Sequence, residues 1–311
     1  TYAAGISILA VIVSSWFSAN KMGPKAIVEA MAMGAKNMVM TAILLCAVGL
    51  IVNVIATAGV GNTFSLMINE WAGHSLVIAI ALIALASLVL GMGLPVTAAY
   101  IVLGTLSAPA LQALIADGLL VDALANGQIP EAAKAIFMLV APDKLAEIGN
   151  PMTTAAARAI VDAVPVDMAG MVRESVLTPH ALTYALLSAH LIVFWLSQDS
   201  NVTPPVALAA FTGAAIAGTK PMATGLQSWK LAKGLYIIPL LFAYTPFIGG
   251  SWVDDFTIFF FALFGLYAFA AGLEGFMEAR VTLPVRLLSV GCAVALLWPA
   301  PVWVHLVGLI V

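Results

Sequence analysis

Apolar segments of membrane-spanning length recur along nearly the whole chain. A bilayer core of about 30 Å needs about 20 residues of helix to cross it, and short polar connections separate segments of roughly that length. Only 9% of the 311 residues are charged, against about 25% in an average soluble domain. The sequence therefore predicts an all-α integral membrane protein that crosses the bilayer several times.

One apolar segment is interrupted where a spanning helix can least tolerate it. The stretch "SQDSNVTPPVALAAF", Ser197–Phe211, places an acid, amides, hydroxyls and two prolines between apolar flanks. Pro204 and Pro205 donate no backbone hydrogen bond, and proline disfavours helix in the residue before it. We therefore expect the carbonyls of Ser200–Thr203 to be partly released and, with nearby side-chain oxygens, to suit a hard monovalent cation such as Na⁺.

A second interruption lies upstream, in "GMGLPVTAAY". Gly91, Gly93 and Pro95 break the helical pattern there, and Thr97 offers a hydroxyl at the start of the next helix. Irregular backbone inside a bilayer persists only within protein or beside a watery cavity. Each break alone fits a kink or a turn between two spans, and the charge pattern fits a re-entrant hairpin and two full crossings equally. The two together favour a substrate or ion site.

Asp199 is the one acid inside the interrupted segment. A charged side chain at the bilayer centre costs about 2.5–3.5 kcal/mol on insertion scales and therefore tends to mark function. The carboxylate could equally pair with a neighbouring span or face a cavity. The half-helices that begin near Thr97 and Val206 could direct their positive ends towards an anion.

Other function classes find little support in the sequence. A net charge of -3 gives no reason to expect nucleic acid. His190 precedes the break without cysteine or carboxylate at metal-ligand spacing, so no transition-metal site or cofactor is predicted, and His190 is expected to face a neighbouring helix. The absence of a G-x-S-x-G elbow argues against an intramembrane hydrolase. We therefore expect a protein that is not an enzyme.

Basic residues are concentrated in particular short connections. These connections are Lys21–Lys36, Thr219–Lys233 and Gly272–Arg286, and the positive-inside rule places them in the cytoplasm. Residues 117–179 then lie on the opposite face, as a charged, proline-containing insert. We expect this insert to be partly folded and dispensable for membrane insertion. One helix is expected over Met152–Val164, with Asn150 as its cap and Pro151 at its first position.

Two motifs together carry a family resemblance. "LASLVLGMGLPVTAAYIVLGTLSAPAL" and the later "TPPVALAAFTGAAIAGTKPMATG" resemble the large membrane subunit of tripartite ATP-independent periplasmic (TRAP) transporters. The chain looks most like the TAXI-type permeases, in which small and large subunits are often fused (4TM/12TM), and "YIIPLLFAYTPFIGGSW" and the spans after it share that likeness. The resemblance covers nearly the whole chain except the insert.

The resemblance implies a sodium-driven importer in the bacterial inner membrane, served by a periplasmic TAXI-type binding protein and a small membrane subunit or its fused equivalent. It implies an elevator-type fold of the ion transporter superfamily, in which each repeat has a re-entrant hairpin and a broken helix. Small organic acids are the substrates associated with such systems. Lys21–Lys36 and Thr219–Lys233 would be interfacial arm helices that brace a scaffold against a transport domain.

The implied site lies where the two breaks meet. Gly93, Thr97, Asn201 and Thr203 would help to hold one sodium ion, and Ser200 joins them as a candidate ligand. The candidates for lining the adjacent substrate cavity are Pro95, Val96, Asp199, Pro204 and Pro205.

The sequence also departs from the family pattern. Only one repeat is present, so we expect the chain to be a C-terminal repeat whose N-terminal partner, with the first hairpin and its sodium site, is missing. Many relatives carry Asp where this chain has Asn201, and here the acid stands two residues earlier, at Asp199. The insert is also longer than the usual connection in the family.

These expectations divide the chain into six segments. They are 1–73, scaffold spans and an interfacial arm helix; 74–116, the re-entrant hairpin; 117–179, the periplasmic insert; 180–218, the broken helix of the transport domain; 219–233, a second interfacial arm helix; and 234–311, the C-terminal spans. Within the last segment, Leu287–Val304 is expected to form a single span.

Two other functions remain open at this stage. One is a sodium/anion carrier of the same superfamily that needs no binding protein, which a neighbouring gene for such a protein would argue against. The other is a membrane scaffold that transports nothing, in which Asn201 and Thr97 could be changed to alanine without consequence.

Overall fold

The computed structural model describes residues 2–18 and 21–310. Residues 1, 19 and 20 of the predicted segment 1–73 and residue 311 of the segment 234–311 therefore lie outside the described residues. Two units divide the chain, Thr1–Val54 and Ile55–Val311.

The first unit contains two helices, α1 (Tyr2–Ser15) and most of α2 (Pro24–Thr57). The sequence predicts an interfacial helix at Lys21–Lys36, separate from the apolar segment that follows, whereas α2 runs without interruption from Pro24 to Thr57. Proline opens α2 and none follows inside it, and an isolated glycine such as Gly34 weakens a helix by only about 1 kcal/mol. The basic residues therefore mark a change of polarity along one helix and not a break between two.

The second unit is built from helices of very different lengths. In chain order they are α3 (Val60–Ala72), α4 (Leu76–Gly91), α5 (Val96–Ala125), α6 (Glu131–Val140), α7 (Thr154–Asp162), α8 (Val166–Val176), α9 (Pro179–Ser197), α10 (Leu208–Ala217), α11 (Pro221–Leu231), α12 (Ile238–Tyr244), α13 (Trp252–Glu274), α14 (Leu283–Leu297) and α15 (Val302–Ile310). Short 3-10 helices lie at Pro142–Lys144, Gln198–Asn201 and Ala232–Tyr236. The strands β1 (Phe276–Met277) and β2 (Ala279–Arg280) pair antiparallel between α13 and α14.

Three helices within the described residues are long and apolar enough to cross a membrane. They are Val96–Ala125, Pro179–Asn201 and Trp252–Glu274. Several other apolar helices are shorter, among them α4 and α10. The predicted single span Leu287–Val304 is wrong, because α14 ends at Leu297 and α15 begins at Val302. Pro299 and Pro301 stand between them, and proline ends a helix by removing a donor and constraining the preceding residue.

Helix α5 is shared by two apolar cores. In the first core its residues Leu103 and Leu111 pack with Ile83 of α4 and Ile192 of α9, all at most 1% exposed. In the second, its far end packs with the helices of the insert. Because α5 runs through both cores, it fixes the hairpin and the broken helix on a common rigid element.

The second core belongs to the insert, residues 117–179. Leu124 of α5, Phe137 of α6 and Val172 of α8 have no exposed side-chain surface there. The predicted helix within Met152–Val164 exists as α7, but its predicted cap is wrong. Thr153 caps it, accepting a hydrogen bond from the Ala156 amide at 3.2 Å, whereas the Asn150 side chain donates back to the Ala146 carbonyl.

Candidate functional site

The break in the α9–α10 segment forms around Asp199. α9 ends at Ser197 and passes into the 3-10 helix Gln198–Asn201. The Val202 and Thr203 amides both donate to the Asp199 carbonyl, at 3.0 and 2.9 Å, which closes a single helical turn before the two prolines. A further turn, closed by the Ala207 amide donating to the Thr203 carbonyl, leads into α10.

The entry into α10 requires an unusual backbone conformation. Ala207 has φ 36° and ψ 47°, in the left-handed region, which a residue with a β-carbon adopts at a cost of roughly 1–2 kcal/mol. Its amide donates to the Thr203 carbonyl at 3.0 Å, and its side chain is fully buried. A strained residue held in place by burial next to a helix break is typical of functional segments.

The hairpin between α4 and α5 ends against this break. The amides of Gly93 and Leu94 donate to the Leu90 carbonyl at 3.0 and 2.9 Å, which tightens the turn. At the end of α4, a β-carbon added to Gly91 would lie 3.2 Å from the Cα of Ser200. The backbones therefore approach each other closely enough that only glycine fits without displacement. The structure thus places the two interrupted segments side by side.

The predicted ion-binding residues differ in their environment. Ser200 and Thr203 are buried, at 2% and 4% exposure, while Asn201 is half-buried and Gly93 and Thr97 are exposed. The contact with the break is made by Gly91, two residues before Gly93.

Two of the side chains predicted to bind sodium already make local hydrogen bonds. The Ser200 hydroxyl donates to the Ser197 carbonyl at 3.0 Å, and the Asn201 amide donates to the Gln198 side-chain oxygen at 3.3 Å. Over residues 2–18 and 21–310, no hydrogen bond joins Gly93 or Thr97 to Asn201 or Thr203. The sodium ligand set expected from the sequence stays a prediction.

The candidates for the substrate cavity surround the break unevenly. Pro95, Val96 and Pro204 are half-buried, and Pro205 is exposed. Asp199 has no exposed surface at all. The acid therefore lies inside the protein, whereas Pro205 is at its surface.

Asp199 pairs with a residue that the sequence does not indicate. The Tyr236 hydroxyl donates to Asp199 Oδ1 at 2.7 Å across 37 positions of sequence. Tyr236 ends the 3-10 helix Ala232–Tyr236. In the sequence it is an ordinary aromatic residue at the start of an apolar segment, where interfacial tyrosines are common, so no local signal identifies it.

Two oxygens at the break are buried without a hydrogen bond. Asp199 Oδ2 and Thr203 Oγ1 have no partner among the described residues. Buried polar atoms are nearly always satisfied, and each exception calls for an explanation such as an ion. A carboxylate oxygen and a hydroxyl oxygen are hard donors, so the residues present fit an alkali cation.

Softer metals find no comparable cluster. Among the described residues, no group of three or more His, Cys, Asp or Glu side chains could hold a metal ion. His190, which the sequence assigns to helix packing, lies with its Nδ1 3.2 Å from the Tyr100 hydroxyl of α5.

Comparison with known proteins identifies a family for the chain. The sequence matches the family model described as the tripartite ATP-independent periplasmic transporter, DctM component, over residues 1–248. No curated protein and no solved structure matches the chain. The matched region contains both breaks, while α13–α15 follow it.

Members of this family are transporter subunits and not enzymes. They work with a periplasmic binding protein and a small membrane subunit. Together with the apolar helices, the match establishes that this chain belongs to the DctM family, the multi-pass membrane components of TRAP transporters.

Proposed function

We propose that this chain forms part of a sodium-coupled importer that takes small organic acids from a periplasmic binding protein. The observation that carries the proposal is the contact between the two interrupted helices at Gly91 and Ser200. Beside this contact lie two buried oxygens that lack partners. A coupled transporter needs a site where ion occupancy changes the shape of the substrate cavity, and adjoining helix breaks supply one.

The finer assignments belong to the same proposal. The complex is of TAXI type, the small subunit is separate or fused, and an N-terminal repeat of the same protein provides the first hairpin and its ion site. The hairpin at residues 74–116 is re-entrant and moves with the broken helix at 180–218 in an elevator mechanism. The protein lies in the bacterial inner membrane.

A cavity near the insert supports an acidic substrate. It has a volume of about 780 Å³ and is bounded by α5, α7, α9 and α12. Arg158 and His180 line it, together with Asp122. Arg158 forms no ion pair with any acidic side chain among the described residues. Its guanidinium is therefore available to the carboxylate of a substrate that enters this cavity.

Uptake by the full complex in proteoliposomes tests the proposal. Radiolabelled organic acids are offered with the binding protein and an imposed sodium gradient, and each component is then omitted in turn. We expect uptake only when all are present. Uptake that ignores sodium, or follows a proton gradient alone, would contradict the coupling assignment. Uptake without the binding protein would favour the independent carrier, and the absence of uptake for every acid would favour a scaffold.

The orientation follows from the charge pattern of the short loops. We propose that Lys21–Lys36, Thr219–Lys233 and Gly272–Arg286 face the cytoplasm and that residues 117–179 face the periplasm. Single cysteines in these segments should react with an impermeant maleimide accordingly. Labelling of the insert only after the inner membrane is permeabilised would overturn this orientation.

A further inference from the structure

Asp199 is buried with one of its two carboxylate oxygens unpaired among the described residues. One carboxylate oxygen accepts the Tyr236 hydroxyl at 2.7 Å, while the other has no partner among the described residues. An ionised carboxylate in a protein interior is costly unless it is paired, and one neutral donor compensates for only part of its charge. The arrangement favours a positive charge at the free oxygen.

Thr203 supplies a second buried oxygen in the same turn as Asp199. Because the Thr203 amide donates to the Asp199 carbonyl at 2.9 Å, the two residues are one helical turn apart. Thr203 is only 4% exposed, and its hydroxyl also lacks a hydrogen-bond partner among the described residues.

We propose that Tyr236 is a positioning residue that fixes the Asp199 carboxylate so that its free oxygen, together with the Thr203 hydroxyl, binds the coupling sodium ion. The inference rests on the proposed function, because it assigns ligands to the cation of that transporter. It differs from the ligand set read from the sequence, in which Asp199 belongs to the substrate cavity. A hydrogen bond to one carboxylate oxygen restricts rotation of the group and therefore lowers the entropy lost when the other oxygen binds an ion.

Tyr236 also connects the site to the arm segment. α11 approaches the break at Gly225, where an added β-carbon would lie 3.0 Å from the side chains of Pro204 and Phe211. The 3-10 helix that follows α11 carries both Tyr236 and Lys233, and Lys233 donates to Glu274 of α13 at 3.0 Å. One short segment thus contacts the break and the C-terminal helices. An ion that stabilises the Asp199 carboxylate in this orientation also stabilises the position of that segment.

Sodium binding to the purified full complex tests the assignment apart from transport. Equilibrium binding of ²²Na⁺ and the sodium-induced rise in the unfolding temperature are measured for Tyr236→Phe, Asp199→Asn and Thr203→Val. We expect Tyr236→Phe to weaken sodium affinity about tenfold, the equivalent of one hydrogen bond to a charged group. Asp199→Asn should abolish binding at this site, and Thr203→Val should weaken it. At saturating sodium, Tyr236→Phe should recover the parental uptake rate, whereas Asp199→Asn should not.

Tyr184→Phe is the matched control. Tyr184 is likewise a half-buried tyrosine, and its hydroxyl donates to the Thr245 carbonyl at 3.0 Å and not to a carboxylate. Its loss should leave sodium affinity unchanged. Equal affinity in the parent, Tyr236→Phe and Tyr184→Phe would overturn the inference while leaving sodium coupling intact. A parent that binds no sodium would instead overturn the proposed function, and the inference with it.

A second pair of variants covers the case in which Tyr236→Phe does not fold. Thr203→Ser retains a hydroxyl at the position and Thr203→Val removes it with little change of volume. Weaker sodium binding in the valine variant alone would support the site. The same affinity in both would overturn it.

Discussion

The insert and the helix break each contain a buried or nearly buried aspartate, and the two carboxylates differ in their partners. In the insert, the Arg173 guanidinium donates two hydrogen bonds to the Asp117 carboxylate, at 2.7 and 2.9 Å. The two side chains retain only 21% and 15% exposure. At the break, the Asp199 carboxylate is fully buried with one oxygen bound by a neutral hydroxyl and the other unpaired. The Asp117 carboxylate therefore has a charged partner, whereas the Asp199 carboxylate has only a neutral one.

The apolar surroundings show the same contrast. Phe137 and Leu124 fill the centre of the insert without exposed surface, and the adjoining polar pair is satisfied. At the break, Gly91 packs closely against Ser200. The Asp199 Oδ2 and Thr203 Oγ1 oxygens there have no hydrogen-bond partner among the described residues. Satisfied polar groups and dense packing favour a rigid, stable unit, whereas unsatisfied oxygens favour binding of a ligand that completes them. The structure of the insert therefore favours stability, whereas the structure of the break favours binding of a ligand.

The largest expected effect is loss of the insert core. Phe137→Ala should lower the free energy of unfolding by about 3–5 kcal/mol, because it removes a large buried side chain and leaves a cavity. Thermal unfolding of the purified complex measures the change, and the sodium-induced shift should persist because the site is elsewhere. Leu139→Ala, in the same helix with the leucine 73% exposed, is the control. Equal destabilisation by both changes would refute a packed insert.

Two matched aspartate substitutions should change stability in opposite directions. Asp117→Asn should cost about 3 kcal/mol, the lower end for a broken buried pair, because Arg173 loses its counter-charge. Asp199→Asn should instead stabilise the protein in sodium-free buffer, since the amide oxygen can still accept from Tyr236 without the burden of a buried charge. Thermal unfolding without sodium compares the two. Destabilisation of similar size in both would contradict the contrast between the regions.

The close contact at the break gives the next effect. Gly91→Ala should destabilise the contact by about 2 kcal/mol, because the added methyl group meets backbone and overpacking forces a displacement. The uptake rate should fall strongly even where the protein remains folded, because the contact lies at the proposed ion site. Gly213→Ala in α10 adds the same methyl group where nothing lies within 4 Å of it, and should be neutral. Full uptake by Gly91→Ala would show that the hairpin and break need not touch.

The sequence predicts where these helices break but not which residues meet there. Pro204, Pro205 and the Gly-Pro stretch before α5 mark the interruptions, because their backbone chemistry acts locally. The role of Tyr236 cannot be predicted from the sequence, because its hydrogen bond to Asp199 depends on how a distant segment packs. Gly91 likewise looks like any helix-ending glycine until Ser200 is placed against it.

Helix boundaries show the same limit. The prolines at 299 and 301 divide the predicted last span, and residue type alone could have indicated this. The basic residues near the start of α2 suggested a boundary that no helix breaker enforces. Thr153 rather than Asn150 caps α7, because the fold sends the Asn150 side chain back to Ala146. Helix ends that proline imposes can be predicted from the sequence. Helix ends suggested only by charge, or by one of several possible capping residues, cannot.

The smallest effect compares two threonines. Thr153 accepts a hydrogen bond from the Ala156 amide at the start of α7, so Thr153→Val should cost about 1 kcal/mol, as loss of a helix cap does. Thr203→Val removes a buried hydroxyl that has no partner among the described residues, and should leave stability in sodium-free buffer unchanged or slightly higher. Unfolding temperatures with and without sodium separate the two. Thr153→Val should lower both values equally, while Thr203→Val should reduce only the gain that sodium provides. If Thr203→Val destabilised the sodium-free protein as much as Thr153→Val does, its hydroxyl would serve the fold, and the distinction between a satisfied insert and an unsatisfied break would not hold at this position.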